Sequence, residues 1–85
     1  MGRYRVVVRK SVLKDLDRIA KKDVRRIVKA MRSLSDDARP PQSKKLSGEE
    51  KYRLRCGVYR IVYEIQDKQL VICIVRIRHR REVYR

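Results

Sequence analysis

The apolar residues of this chain change rhythm near its middle. In the first half, Val6, Val7 and Val8 form a β-branched run, which predicts a strand over Arg3 to Arg9. Ser11 is placed to cap a helix in which Val12, Leu13, Leu16, Ile19 and Ala20 recur every three or four residues, with Lys14, Asp15, Asp17, Arg18 and Lys21 between them. Asp23 reads as a second cap. It precedes the stripe Val24, Ile27, Val28, Met31 and Leu34, which fades before Asp36-Asp37 and Pro40-Pro41. With Lys21-Lys22 as their link, the two helices are expected to form an antiparallel hairpin whose shared apolar face covers a sheet.

In the second half three runs rich in Tyr, Ile and Val follow, Tyr52 to Cys56, Tyr59 to Gln66 and Gln69 to Arg78, separated by Gly57-Val58 and Asp67-Lys68. They predict an antiparallel meander. The stretch from Asp37 to Lys51 holds both prolines, Ser43, Ser47 and Gly48, and reads as a loop presenting Lys44 and Lys45. The expected fold class is α+β, in one domain over residues 1–85: an N-terminal strand, an antiparallel two-helix hairpin and a three-stranded meander, with the helices on one face of a four-stranded sheet.

Gly57 at the first central position suits a type II′ turn, which sets Cys56 opposite Tyr59 and Arg55 opposite Arg60. Arg53 and Arg55 then share a face with Arg60. Like charges directly opposed across a strand pair destabilise a sheet, so folding alone would not select this arrangement. The face of Arg76 and Arg78 stays open. A two-residue turn at Asp67-Lys68 sends them away from Arg60, whereas a three-residue loop or one bulge brings them beside it.

Charge sharpens the picture. Of 85 residues, 25 are Lys or Arg and 10 are Asp or Glu, a formal net charge of +15. That density points to a polyanionic partner, nucleic acid first. A chain this short leaves little room for a deep cofactor cavity, so the working surface should be shallow. No apolar run approaches the roughly 20 residues of a membrane span, and the chain reads as cytoplasmic. Cys56 and Cys73 stand apart inside apolar runs and read as buried, reduced thiols. No metal-ligand spacing and no Gly-rich phosphate loop occurs, so no metal and no cofactor are expected.

The candidate chemistry follows from the cations. Guanidiniums converging on one face match phosphate geometry. The last ten residues add Arg76, Arg78, Arg80, Arg81 and Arg85, the imidazole of His79, and Tyr84, a ring on which an unpaired base can stack. Attack of an RNA 2′-hydroxyl on its neighbouring phosphate suits this inventory, since it requires strand orientation and stabilisation of a developing dianion. Arginine keeps its proton above pH ~12, which leaves His79 as the ready proton shuttle. Arg55, Arg60, Arg78, His79, Arg80 and Tyr84 are the candidate catalytic residues. Lys44, Lys45, Arg53, Arg76 and Arg81 are the candidate RNA contacts.

Three stretches together resemble the RelE/ParE superfamily of toxin–antitoxin toxins: Tyr52-Arg53-Leu54-Arg55, Gly57-Val58-Tyr59-Arg60-Ile61-Val62-Tyr63-Glu64-Ile65, and Arg78-His79-Arg80-Arg81-Glu82-Val83-Tyr84. The resemblance implies an endonuclease that cuts mRNA in the A site of the 30S ribosomal subunit, amid rRNA, without metal, and that a cognate acidic antitoxin silences. It implies that Arg53 and Arg55 stand where RelE-type members carry basic residues, that Arg60 holds the scissile phosphate, that Arg78 or Arg80 sits near the leaving group, and that Tyr84 orients the message. RelE-type enzymes carry a Lys, the candidate base, where this chain has Arg55. Either Arg55 binds phosphate alone and His79 takes the proton, or the ribosome supplies part of the chemistry. ParE-type members inhibit DNA gyrase on the same fold, which gives an alternative function. A non-catalytic RNA-binding module is the third.

Overall fold

A computed structural model describes residues 3–46 and 51–79. The elements run β1 (Arg5–Val8), α1 (Lys10–Asp17), α2 (Lys21–Ser33), β2 (Ser43–Lys45), β3 (Lys51–Cys56), β4 (Tyr59–Gln66) and β5 (Val71–His79). The expected strand, helix pair and meander are all present. The sheet gains a fifth strand, in the order β1-β5-β4-β3-β2, with β1 parallel to β5 and the other pairs antiparallel. The addition is β2, within the stretch expected to be loop. It carries no apolar residue and so leaves no periodic signal, yet it pairs Ser43 with Leu54, Lys44 with Arg53 and Lys45 with Tyr52.

Both helices start earlier than their polar residues suggest. α1 is entered from Arg9, and Ser11 donates its hydroxyl to the Val75 carbonyl at 3.2 Å instead of capping. α2 is entered from Ala20, whose extended backbone (ψ 143°) leaves its carbonyl free to accept from the Asp23 and Val24 N–H groups. Asp23 thus sits in the first turn, where a carboxylate favours the helix dipole, and Lys21-Lys22 belong to the helix.

One face of the sheet presents Leu54, Cys56, Ile61, Tyr63, Ile72, Ile74 and Ile77 to Val12, Ile27, Met31, Leu34 and Ala38. Ile61, Tyr63, Ile72 and Ile74 are fully buried, each Ile contributing about 1.5–3 kcal/mol of transfer free energy. The Tyr63 hydroxyl, buried with its ring, donates to the Ala38 carbonyl at 2.8 Å. Burial pushes the Tyr63 phenol and the Cys56 thiol above their ordinary ranges. Cys73 is only half-buried, because its register partner is Glu64 on the opposite face.

The turn after β3 is as expected: Gly57 has φ +61°, Val58 stays at negative φ, and Arg55 pairs with Arg60. The next connection is longer, residues 67–70, with Leu70 in the left-handed region at φ +54°. Gln66 therefore pairs with Val71, a parity that alone would turn Arg76 and Arg78 into the core. A bulge reverses it. Tyr63 pairs with Ile74 but Val62 pairs with Arg76, which leaves Val75 as the extra residue.

At the end of the sheet away from Gly57, Asp67 accepts from the Tyr4 hydroxyl at 2.6 Å and pairs with the Arg39 guanidinium at 3.0 Å. Arg39 also donates to the Tyr52 hydroxyl and lies over that ring, which stacks on Tyr63. The network joins the chain before β1, the segment after α2, β3 and the 67–70 turn. The Arg39 hydrogen bond, then that of Tyr4, holds the Asp67 carboxyl below the usual range, and the same carboxylate raises Tyr4.

Ile74→Ala is expected to cost about 2–5 kcal/mol in urea denaturation, because nothing is free to fill the void. Asp67, with its folded pKa lowered, stabilises the fold fully above its unfolded value of about 3.9 and loses that contribution as pH falls through the folded value. The stability difference between wild type and Asp67→Asn should accordingly be full at neutrality and shrink in denaturation curves as pH falls through the lowered folded value.

Candidate nucleic-acid interface

The sheet face away from the helices carries the cations. Arg55, Arg60 and Arg78 are register partners on β3, β4 and β5, so their Cβ atoms follow one another at about 5 Å across three strands. Arg60, at the centre, is 7% exposed and is the charged member of the buried set, while Arg55 is exposed and Arg78 half-buried. The row thus has a recessed middle and two accessible flanks. A second row lies one pair further along: Lys44, Arg53, Val62 and Arg76 on β2, β3, β4 and β5. Pro41, Gln42, Lys44, Arg53 and Arg55 surround a shallow depression of about 180 Å3.

Sequence reasoning named most of this set. Arg53, Arg55, Arg60, Arg76 and Arg78 share one face, and Lys44 joins them because β2 is a strand. The Val75 bulge decides the point left open for Arg76 and Arg78. Pro41 and Gln42 went unnoticed, since no periodic or charge signal marks them. Lys45 does not join: its register partner is Tyr52, which puts it on the helix side. His79 does not join either. It pairs with Tyr59, and the two rings meet edge to face at 5.4 Å in a cleft beside α1. Strand alternation separates it from Arg78 by the thickness of the sheet. Arg80, Arg81 and Tyr84 lie outside the described residues.

α1 serves this face indirectly. β1 ends opposite Ile74, and beyond it α1 closes the exposed edge of β5, with Ser11 on the Val75 carbonyl and the Asp15 carboxylate accepting from the Ile77 N–H at 3.0 Å. Glu64 is the carboxylate on the cationic face. It sits four residues from Arg60, roughly 13 Å along the strand, and pairs with Arg9 at 3.7 Å. Among the described residues no three His, Cys, Asp or Glu side chains converge as metal ligands, and no described helix is long and apolar enough to cross a membrane. The arrangement can bind and orient a phosphate chain and stabilise added negative charge on it.

Comparisons with known proteins identify the family and the fold. A family model described as the ParE toxin of the type II toxin-antitoxin system parDE matches residues 6–84. A putative RelE-like toxin protein of Escherichia coli is 33% identical, covering 96% of this chain and 90% of that protein. Among solved structures, a chain of the archaeal RelE-RelB complex from Pyrococcus horikoshii is 32% identical with a TM-score of 0.82, over 91% of this chain and 94% of that one. A chain of the toxin-antitoxin complex RelBE2 from Mycobacterium tuberculosis is 26% identical with a TM-score of 0.80, over 91% and 98% respectively.

The opposed guanidiniums give a direct stability test. Arg55→Ala should stabilise the fold by about 0.2–1 kcal/mol in low salt by removing one like charge from the row. The gain should shrink in denaturation curves at roughly 1 M salt, where the Debye length is about 3 Å. Destabilisation, or a gain indifferent to salt, would count against repulsion along the row.

Proposed function

The chain belongs to the RelE/ParE superfamily and is a RelE-like toxin of a type II toxin–antitoxin system, and from that premise we propose that it is a ribosome-dependent, metal-independent mRNA endoribonuclease. The observation that carries the reading is the row Arg55, Arg60 and Arg78 in register across three strands, flanked by Lys44, Arg53 and Arg76.

In the proposed reaction a ribose 2′-oxygen attacks the adjacent phosphorus and the bond to the 5′-oxygen breaks, leaving a 2′,3′-cyclic phosphate and a 5′-hydroxyl. The recessed Arg60, flanked by Arg55 and Arg78, offers donors to the non-bridging oxygens, where charge builds in the transition state. The second row aligns the flanking strand. Protonated guanidiniums do not accept the 2′-hydroxyl proton, and His79 faces the helices. Proton transfer in the proposed reaction therefore falls to groups other than the arginine row and His79, and ribosomal groups in the A site would supply it in a ribosome-dependent enzyme. The two RelE–RelB and RelBE2 relatives are toxin–antitoxin complexes, and we extend that partnership to a cognate, acidic antitoxin whose binding neutralises part of the +15 charge.

Inhibition of DNA gyrase is the second reading, favoured by the ParE description of the matching family model. Primer extension on mRNA from a translating extract, run beside a gyrase supercoiling assay, separates them. The proposed nuclease gives defined breaks within codons and leaves supercoiling untouched. Arg78→Ala should lower cleavage about tenfold or more while retaining wild-type circular dichroism. Blocked supercoiling without mRNA breaks would establish the gyrase reading, and RNA binding with neither effect would leave a non-catalytic binder.

A further inference from the structure

One part of the cationic face is lined by more than cations. The depression of about 180 Å3 beside Lys44, Arg53 and Arg55 is also bordered by Pro41 and Gln42, and it is well below the ~300–1,000 Å3 of a small-molecule pocket, on the scale of one planar base. Its rim is a fixed turn. The Ser43 N–H donates to the Pro40 carbonyl at 2.9 Å and the Ser43 hydroxyl donates to the same oxygen at 2.7 Å, closing a four-residue turn with Pro41 at the first central position, where a proline φ fits. Upstream, the Tyr63 hydroxyl holds the Ala38 carbonyl and Asp67 holds Arg39. Downstream, the pairing of Ser43 with Leu54 and of Lys44 with Arg53 brings Gln42 beside Arg55, the accessible flank of the arginine row.

The chemistry narrows the occupant. Phosphate calls for cations, and Arg53 and Arg55 supply them two residues, roughly 7 Å, apart along β3. Phosphate gives no use to the apolar Pro41 ring or to Gln42, whose exposed amide makes no hydrogen bond with any described residue. A nucleobase uses both. The proline ring packs against the face of the base, and the amide sets one donor and one acceptor side by side against its edge. Adenine matches such an amide on either edge, through N6 with N7 or N6 with N1, whereas guanine presents two adjacent acceptors at O6 and N7 and each pyrimidine has one pairing edge. In an unpaired message strand these edges are open to a side chain.

We propose that this depression is a subsite for an adenine next to the scissile phosphate, with Gln42 reading the edge of the base and Pro41 backing its face while Arg55 and Arg53 hold the phosphates on either side. The proposal rests on the nuclease reading and adds a base preference to it. Gln42 is then a specificity-determining residue. Its two hydrogen bonds form with one base and leave buried groups unpaired with another, so it decides which codon is cut more than how the bond breaks.

The test uses the full chain in the translating extract, on a reporter message whose codons are varied one base at a time. The wild type should cut codons with adenine at one position beside the break about tenfold or more faster than those with another base there. Gln42→Leu, close in size but without hydrogen-bonding groups, should slow adenine codons to within about twofold of the rest. Gln69→Leu makes the same exchange in the 67–70 turn at the other end of the sheet and should keep the wild-type pattern. An equal loss over all codons in Gln42→Leu, a preference that survives the substitution, or one centred on a base other than adenine would each overturn the proposal. No mRNA breaks from the wild-type protein would instead refute the nuclease reading from which the subsite starts.

Discussion

The single extra residue in β5 governs which side of the sheet does what. Ile72 and Ile74 must enter the core, and so must Ile77, three positions on instead of two. A regular strand cannot do this. It would bury Arg76 and Arg78 under the helices and expose Ile77, and burying even one unpaired guanidinium costs far more than a bulge. The chain bulges at Val75 instead, and Ser11 of α1 satisfies the carbonyl that the distortion leaves at the edge. Everything on the cationic face follows: Arg78 falls into line with Arg60 and Arg55, and His79 is sent to the far side.

The guanidinium row is a stability cost accepted in a strongly built frame. Its three members sit where cross-strand partners of opposite or no charge would be preferred. They are tolerated because the opposite surface of the same strands carries Leu54, Ile61, Tyr63 and Ile77, all buried, and because Arg39, Asp67, Tyr4 and Tyr52 tie down the other end of the sheet. Such a site has its charge organised before any substrate arrives, which is the condition under which fixed donors stabilise a transition state most effectively.

Much of this was legible in the residues. Gly57 fixed the first hairpin, and with it the opposition of Arg55 and Arg60, because a type II′ turn admits one register. The helix stripes identified Val12, Ile27, Met31 and Leu34 as core. The bulge was not legible: Val71 to Val75 are apolar at every position, so either phase of the strand could enter the core, and the finished sheet decides it. β2 was not legible, because Ser43, Lys44 and Lys45 carry no apolar alternation and the strand exists only as a complement to β3. The Arg39–Asp67 network was hidden for another reason, its members being 28 residues apart and brought together by the finished sheet. The true helix starts, Lys10 after Arg9 and Lys21 after Ala20, defeated capping logic, in α1 because a tertiary contact claims Ser11 for another role.

The central claim is that Arg55, Arg60 and Arg78 jointly hold the phosphate at which the message breaks. A structure of the toxin on a ribosome whose A-site codon carries a 2′-deoxy sugar at the cleavage position tests it most directly, since the missing hydroxyl traps the uncleaved strand. The account predicts that phosphate within hydrogen-bonding distance of all three guanidiniums, with the flanking strand crossing toward Lys44 and Arg53. A message lying on the helix side, or a scissile phosphate contacting none of the three, would contradict it.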